Sequence, residues 1–245
     1  MPRTLLRDRA DLRARFGPPF SPFEWQASGT DPRDLLRLID TVNARHRSVY
    51  DALADEYAVK SAVHLATTRE RVDRVAHHID GHDVLDVGCG VGLALSIFSS
   101  RDFNATGVDV SPRMVKLARE RSPQAEVVHG DFLTTKLRCN YDAIWEQALI
   151  HLFPRAWEQY IFERFRALLK PAGLLSLSTT ASRVSREGWQ MKKDYGTAPK
   201  RYRRSITESE LLGALRQSRF HLVEKWITTD PMGKHWLTVV ARKSP

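Results

Sequence analysis

The stretch Val84-Leu85-Asp86-Val87-Gly88-Cys89-Gly90-Val91-Gly92 decides the fold of this chain. Its first four residues are apolar except for Asp86, which predicts a short buried strand. The glycines at 88, 90 and 92 then allow a tight backbone turn that a side chain would block. Leu93 to Ser99 predict the start of a helix, so the free N–H groups of this region would face a polar ligand.

A second acidic residue follows at the end of the next predicted strand, Ala105 to Val110. Asp109 lies about 20 residues after the turn, where a carboxylate can accept hydrogen bonds from both ribose hydroxyls of a cofactor. Dinucleotide-binding turns usually place a third glycine where this chain has Leu93, which disfavours a nicotinamide cofactor. The run from 84 to 110 resembles the cofactor site of class I S-adenosylmethionine-dependent methyltransferases.

The resemblance implies that S-adenosylmethionine is the cofactor and S-adenosylhomocysteine the product. It implies contacts of Gly88 and Gly90 with the methionine half, of Asp109 with the ribose, and of Asp131 with the adenine. Asp86 would orient the turn, and Met114 either packs on the adenine or is an ordinary core residue. The cofactor-binding set predicted in this way is Tyr57, Asp86, Gly88, Gly90, Asp109, Val110, Met114, Asp131, Phe132 and Gln147.

The stretch Trp145 to Leu152 resembles small-molecule O- and N-methyltransferases and lacks the motif that often marks nucleobase-methylating enzymes. The resemblance implies that Gln147 lies near the cofactor and that Glu146 and His151 lie near the methyl acceptor. His151 is the predicted general base because imidazole titrates near neutral pH. The alternative is a structural histidine that ties this loop to the next helix, and Glu146 has a structural alternative as well.

Tyr50 is the third predicted catalytic residue. It precedes Tyr57 by two helical turns, which predicts that both rings lie on one helix face. The surrounding pattern resembles the N-terminal helix that covers the cofactor in many small-molecule methyltransferases, where a tyrosine approaches the methionyl group or the substrate. The alternative is that both rings pack in the core.

A basic, aromatic segment covers residues 182–204, with eight lysines and arginines against two acidic residues. It occupies the position at which the resembled family inserts a substrate lid. Its cations could bind a carboxylate, a phosphate or an acidic carrier, although such a run is often only a solvated surface. The predicted substrate-binding residues are Trp189, Lys193, Tyr195, Arg201 and Tyr202.

From residue 82 the chain alternates predicted strands and helices, which favours an α/β fold. We expect a Rossmann-like, doubly wound, mostly parallel seven-stranded sheet with an antiparallel C-terminal hairpin and an N-terminal helical extension. Residues 1–47 would form an arm and helix that caps the substrate or contacts a second copy. Residues 48–245 would form the methyltransferase domain, with 182–204 as its lid.

Composition limits the function further. The net charge of +9 permits an anionic partner, and only two cysteines are present, Cys89 and Cys139. They provide neither a disulfide framework nor a metal-ligand spacing, and with no signal or membrane segment they favour a cytoplasmic protein. We expect methyl transfer to an oxygen, nitrogen or carbon atom of a small molecule, with an anionic specialised metabolite as one option. The alternatives are a lyase or cyclase that consumes S-adenosylmethionine, an RNA methyltransferase, or a binding module without activity.

Overall fold

The computed structural model describes residues 32–192, 194–196 and 199–244. The predicted N-terminal arm and Lys193 lie outside these ranges. No helix within them is long and apolar enough to cross a membrane.

Helices and strands alternate through most of the described chain. The helices are α1 (Pro32–Ala52), α2 (Ala54–Ser61), α3 (Leu65–Ala76), α4 (Leu93–Ser99), α5 (Pro112–Arg121), α6 (Glu158–Leu168) and α7 (Glu208–Gln217). The strands are β1 (Asp83–Val87), β2 (Asn104–Asp109), β3 (Glu126–His129), β4 (Tyr141–Gln147), β5 (Leu169–Ser182), β6 (Arg186–Met191), β7 (Lys200–Thr207), β8 (Phe220–Thr229) and β9 (His235–Lys243).

The central sheet has the predicted mixed architecture. Strands β3, β2, β1, β4 and β5 lie side by side in that order and are all parallel. Strand β9 continues the sheet antiparallel to β5, and β8 pairs antiparallel with β9. Val87 pairs with Val108 on one side and with Glu146 on the other, so the carboxyl ends of β1, β2 and β4 meet at one edge. The Rossmann-like prediction is confirmed.

Helices cover both faces of this sheet because neighbouring residues of a strand point to opposite sides. Leu85 and Val87 pack in a cluster with Phe162 of α6. Val84 packs in a second cluster with Leu95 and Phe98 of α4. The near-continuous apolar run of β1 reflects this burial on both sides.

The basic segment 182–204 contains regular structure that the sequence analysis did not predict. Strands β6 and β7 form an antiparallel hairpin whose pairs include Trp189 with Tyr202. Strand β7 joins β5 in parallel through Ala181 with Ile206 and the next pair of residues. The segment is therefore attached to the sheet rather than solvated along its length.

Tight packing requires glycine at the end of the glycine turn. Gly92 has a φ of +77°, and a Cβ added there would lie 2.9 Å from the Ala118 Cα of α5. The contact is with backbone, which cannot rotate away as a flexible side chain can. The turn and α5 can therefore approach this closely only because residue 92 has no side chain.

We expect Gly92→Ala to lower the free energy of unfolding by about 2–4 kcal/mol, since it combines an unfavourable φ with overpacking. Chemical denaturation measures this change. Gly213→Ala is the matched control, because Gly213 lies inside α7 with nothing near the added methyl group. This control should be neutral or slightly stabilising. Equal stability of both variants would contradict the packing argument.

The side chain of Glu146 differs from the sequence-based expectation. Glu146 is buried near the end of β4, and its Oε1 accepts hydrogen bonds from the backbone N–H groups of Leu149 and Ile150. It therefore fixes the turn after β4 and is not part of the cavity wall described below. Burial raises the pKa of Glu146 from 4.5 to about 7.

This raised pKa predicts a pH dependence of stability. Between pH 4.5 and about 7 the folded state binds more protons at Glu146 than the unfolded state does. The free energy of unfolding therefore falls as pH rises through this window. We expect a smaller fall in Glu146→Gln, measured by urea denaturation at several pH values, because glutamine does not titrate. Glu126→Gln, which changes an exposed acid on β3, should follow the wild type. A wild-type slope in Glu146→Gln would show that Glu146 ionises normally.

Candidate active site

A cavity of about 280 Å³ lies at the carboxyl ends of β1, β2 and β4. Helices α1 and α2, the β6–β7 hairpin and the turn between β8 and β9 also contribute to its wall. This is the edge at which open α/β sheets bind ligands, because the loops that leave the strands diverge there. The cavity has two sides with different chemistry.

Asp109 braces the glycine turn on the first side. One carboxylate oxygen accepts from the Gly90 N–H and the other from the Ser111 N–H, each at 2.9 Å. Burial raises the pKa of Asp109, and these N–H groups oppose the rise. A carboxylate has about four acceptor sites, so both oxygens retain capacity for hydroxyl groups. A Cβ added to Gly90 would meet nothing within 4 Å, so the turn is open there.

Met114, Val110, Asp131 and Phe132 line the same side, as the resemblance implied. Asp131 accepts a hydrogen bond from Asn43 Nδ2 at 2.6 Å. Sequence reasoning missed Asn43, because nothing in the pattern of α1 distinguishes it from other polar helix residues.

Arg71 is a second residue that sequence reasoning missed. Its side chain lines the cavity near the carboxylate of Glu146, and only 6% of it is exposed. The guanidinium lies over the Trp145 ring at 5.2 Å, and its Nε and Nη2 have no hydrogen-bond partner among the described residues. Burial lowers its pKa to about 10. An arginine on the mostly small and apolar buried face of α3, beside Thr68, Val72 and Val75, was the available signal.

The second side of the cavity is strongly basic. Arg201 Nη1 donates to the Tyr50 hydroxyl at 2.6 Å. Arg203 Nη2 donates to Thr180 Oγ1 at 2.7 Å, and its Nη1 donates to His151 Nε2 at 3.3 Å. The structure therefore brings the predicted residues Tyr50, His151 and Arg201 together, with Arg203 as an addition.

Three tyrosines form an aromatic wall between the two sides. The rings of Tyr57 and Tyr195 stack with centroids 5.2 Å apart, and Tyr50 contacts Tyr57 edge-on at 6.0 Å. Lys192 Nζ lies 4.1 Å from the centre of the Tyr195 ring, and burial lowers its pKa to about 8. Tyr50 and Tyr57 lie on successive helices, α1 and α2, rather than on one uninterrupted helix.

Asp194 links the segments that roof the cavity. Its carboxylate binds Lys192 Nζ at 3.1 Å and Lys234 Nζ at 2.8 Å. Its backbone carbonyl accepts from Lys60 Nζ of α2 at 2.7 Å. We call Asp194 with these three lysines the clasp; it joins the hairpin tip to α2 and to the β8–β9 turn.

Two predicted substrate residues face elsewhere. Trp189 and Tyr202 pack edge-on against each other on the hairpin, with centroids 5.6 Å apart, and neither lines the cavity. Tyr202 alternates with Arg201 and Arg203 along β7, and Trp189 of β6 pairs with Tyr202. Both aromatic side chains therefore lie on the face of the hairpin opposite to these two arginines. The predicted cofactor residues all lie on the cavity wall, including Gly88 and Gln147.

Known methyltransferases resemble this chain in sequence and in fold. A family model described as a methyltransferase domain matches residues 84–173. A protein of Mycolicibacterium smegmatis named as a probable S-adenosylmethionine-dependent methyltransferase is 32% identical over 108 residues, 43% of this chain and 41% of that protein. The 27-O-demethylrifamycin SV methyltransferase of Amycolatopsis mediterranei is 28% identical over 46% of this chain and 44% of its own length. The aligned part thus spans less than half of each of these two relatives.

A solved structure shares most of the fold. The 1,6-didemethyltoxoflavin-N1-methyltransferase of Burkholderia thailandensis, crystallised with bound 1,6-didemethyltoxoflavin and S-adenosylhomocysteine, superposes with a TM-score of 0.68. The superposition covers 89% of this chain and 93% of that one at 22% identity. Residues 84–173 of this chain therefore match a methyltransferase domain, within a fold similar to that of the Burkholderia enzyme.

Proposed function

We propose that this chain is an enzyme that transfers a methyl group from S-adenosylmethionine to an oxygen, nitrogen or carbon atom of a small molecule. One observation carries the proposal. The glycine turn held by Asp109 and the basic, aromatic side of the cavity, here called the chamber, belong to one and the same cavity. A binding module would need only the first of these two sides. The methyltransferase-domain match supports the same assignment.

The residues present fit the cofactor. Asp109 would accept from the ribose hydroxyls, and Asp131, Phe132 and Met114 would hold the adenine. Arg71 would bind the carboxylate of the methionyl group, because its buried guanidinium has donors without partners among the described residues. The open side of the turn at Gly90 leaves room for close approach of the ligand to the backbone.

When bound, the cofactor supplies an electrophilic methyl group on a sulfonium. The protein supplies alignment of the acceptor and exclusion of water. The tyrosine wall of Tyr50, Tyr57 and Tyr195 would hold the acceptor against the methyl group. The β6–β7 hairpin would act as the lid, held shut by the clasp of Asp194 and its lysines.

The acceptor side favours a small anionic molecule. Arg201 and Arg203 line the cavity wall and Arg201 is almost fully buried, whereas a nucleic acid would be expected on exposed basic side chains. The Amycolatopsis and Burkholderia relatives are named for small-molecule acceptors. Both observations support a small-molecule acceptor over RNA.

Calorimetry with S-adenosylhomocysteine tests the proposed cofactor. We expect binding to the wild type and at least about tenfold weaker binding to Asp109→Asn, because a charged hydrogen-bond acceptor is lost. Glu126→Gln serves as the control of equal charge change. Preferential binding of a nicotinamide dinucleotide would overturn the proposal. In turnover with candidate acids, 5′-methylthioadenosine as by-product would indicate a lyase or cyclase instead.

A second experiment tests the role of Arg71. We expect Arg71→Gln to weaken S-adenosylhomocysteine binding about tenfold, since it removes a charge-assisted contact with the carboxylate. Binding of 5′-methylthioadenosine, which lacks the amino-acid group, should stay unchanged. Arg69→Gln, on an exposed site of the same helix, should bind both ligands as the wild type does. Equal weakening of both ligands by Arg71→Gln would indicate a general loss of structure.

A further inference from the structure

Neighbouring arginines of β7 differ in their counterions. Arg204 is buried on one face of the strand and pairs with the Glu158 carboxylate at 2.6 Å. Arg201 and Arg203 are two residues apart on the other face, which lines the cavity. Within the described ranges, neither has a carboxylate within 4.0 Å. Arg201 is only 6% exposed.

Two adjacent guanidinium groups in a desolvated chamber are costly without an anion. Burial lowers the pKa of Arg203, and the charge of Arg201 lowers it further. Each guanidinium has five N–H donors, and the side-chain contacts above engage two of Arg203 and one of Arg201. The remaining donors and both charges are suited to an oxyanion from the ligand.

The hydrogen bonds of His151 decide its protonation. An arginine can only donate, so His151 Nε2 is the acceptor of the bond from Arg203. The proton of the neutral ring is then on Nδ1, which donates to Thr179 Oγ1 at 3.0 Å.

Burial and nearby cations hold the ring neutral. The cations are Arg203 and Arg201 of β7 and Lys192 of the hairpin, and the ring of His46 of α1 also lies nearby. Burial and these groups keep the pKa of His151 well below its usual range. A proton added at Nε2 would break the bond to Arg203 and place a third cation beside two guanidinium groups.

We propose that the methyl acceptor binds as an oxyanion on Arg201 and Arg203, and that His151 orients Arg203 instead of receiving the acceptor's proton. The acceptor class is a small acidic enol or phenol. Its O–H proton leaves to solvent, and the resulting oxygen anion forms a bond to the methyl carbon. The methyl–sulfur bond breaks with its electron pair left on sulfur, so the anionic and sulfonium charges cancel. This inference rests on the proposed function, and His151 is a positioning residue in it.

The chromogenic phenol 4-nitrophenol is a direct probe, because its absorbance reports whether it is bound as phenol or phenolate. We expect the wild type to bind the phenolate about tenfold or more tightly than the phenol, which lowers the pKa of the bound probe by about one unit or more. Arg201→Gln and Arg203→Gln should each remove most of this preference. Lys200→Gln removes an exposed charge from the same strand and should change nothing.

Variants of His151 separate positioning from proton transfer. His151→Gln can still accept from Arg203 through its amide oxygen, so it should keep the preference for the phenolate. His151→Leu cannot, and the preference should fall several-fold. Equal losses in the two variants would overturn the positioning role.

Two further outcomes would overturn the inference: binding of the neutral phenol with equal affinity, and absence of probe binding at millimolar concentration. Calorimetry with S-adenosylhomocysteine on the same samples separates the two proposals. Normal binding of that ligand with a failed probe experiment rejects only the oxyanion site. If the wild type binds neither S-adenosylhomocysteine nor the probe, the proposed function itself is rejected.

Discussion

The structure depends on satisfying carboxylates with backbone N–H groups at one edge of the parallel sheet. Asp86, Asp109 and Glu146 gather there from three adjacent strands, and their charges repel one another. Asp109 accepts from two N–H groups around the glycine turn, and Glu146 accepts from two N–H groups after β4. These bonds offset part of the cost of burial and fix both loops. The shape of the cavity follows from these two loops.

Cations divide the cavity into two sides. Arg71 on α3 supplies a positive charge on the wall that also holds the glycine turn. Arg201 and Arg203 on β7 supply two on the other side, next to Tyr50. The carboxylate of the proposed cofactor would face the positive charge of Arg71 on one wall. An oxyanion of the acceptor would face Arg201 and Arg203 on the other wall. This separation would orient the two proposed reactants relative to each other.

The side of the cavity that contains the glycine turn could be predicted from short sequence motifs. The glycine turn and Asp109 lie within 26 residues of chain and follow known strand and turn rules. For Glu146 the sequence left a structural role open beside the predicted catalytic one, because spacing does not reveal that its side chain turns back to the N–H groups that follow it. Arg71 and the clasp at Asp194 depend on contacts between distant segments. The strands of the basic hairpin could not be recognised from hydrophobic alternation, because arginines as well as apolar residues are buried along β7.

The clasp has a consequence for the entry and release of small molecules at the cavity. One carboxylate, that of Asp194, neutralises lysines from the hairpin and from the β8–β9 turn, while its own backbone holds a lysine of α2. With the hairpin as the proposed lid, opening it would break several charged contacts at once, so passage of small molecules would be cooperative rather than a gradual widening. Dissolved ions compete for the same lysines. With this lid, the residence time of a bound molecule would shorten as ionic strength increases.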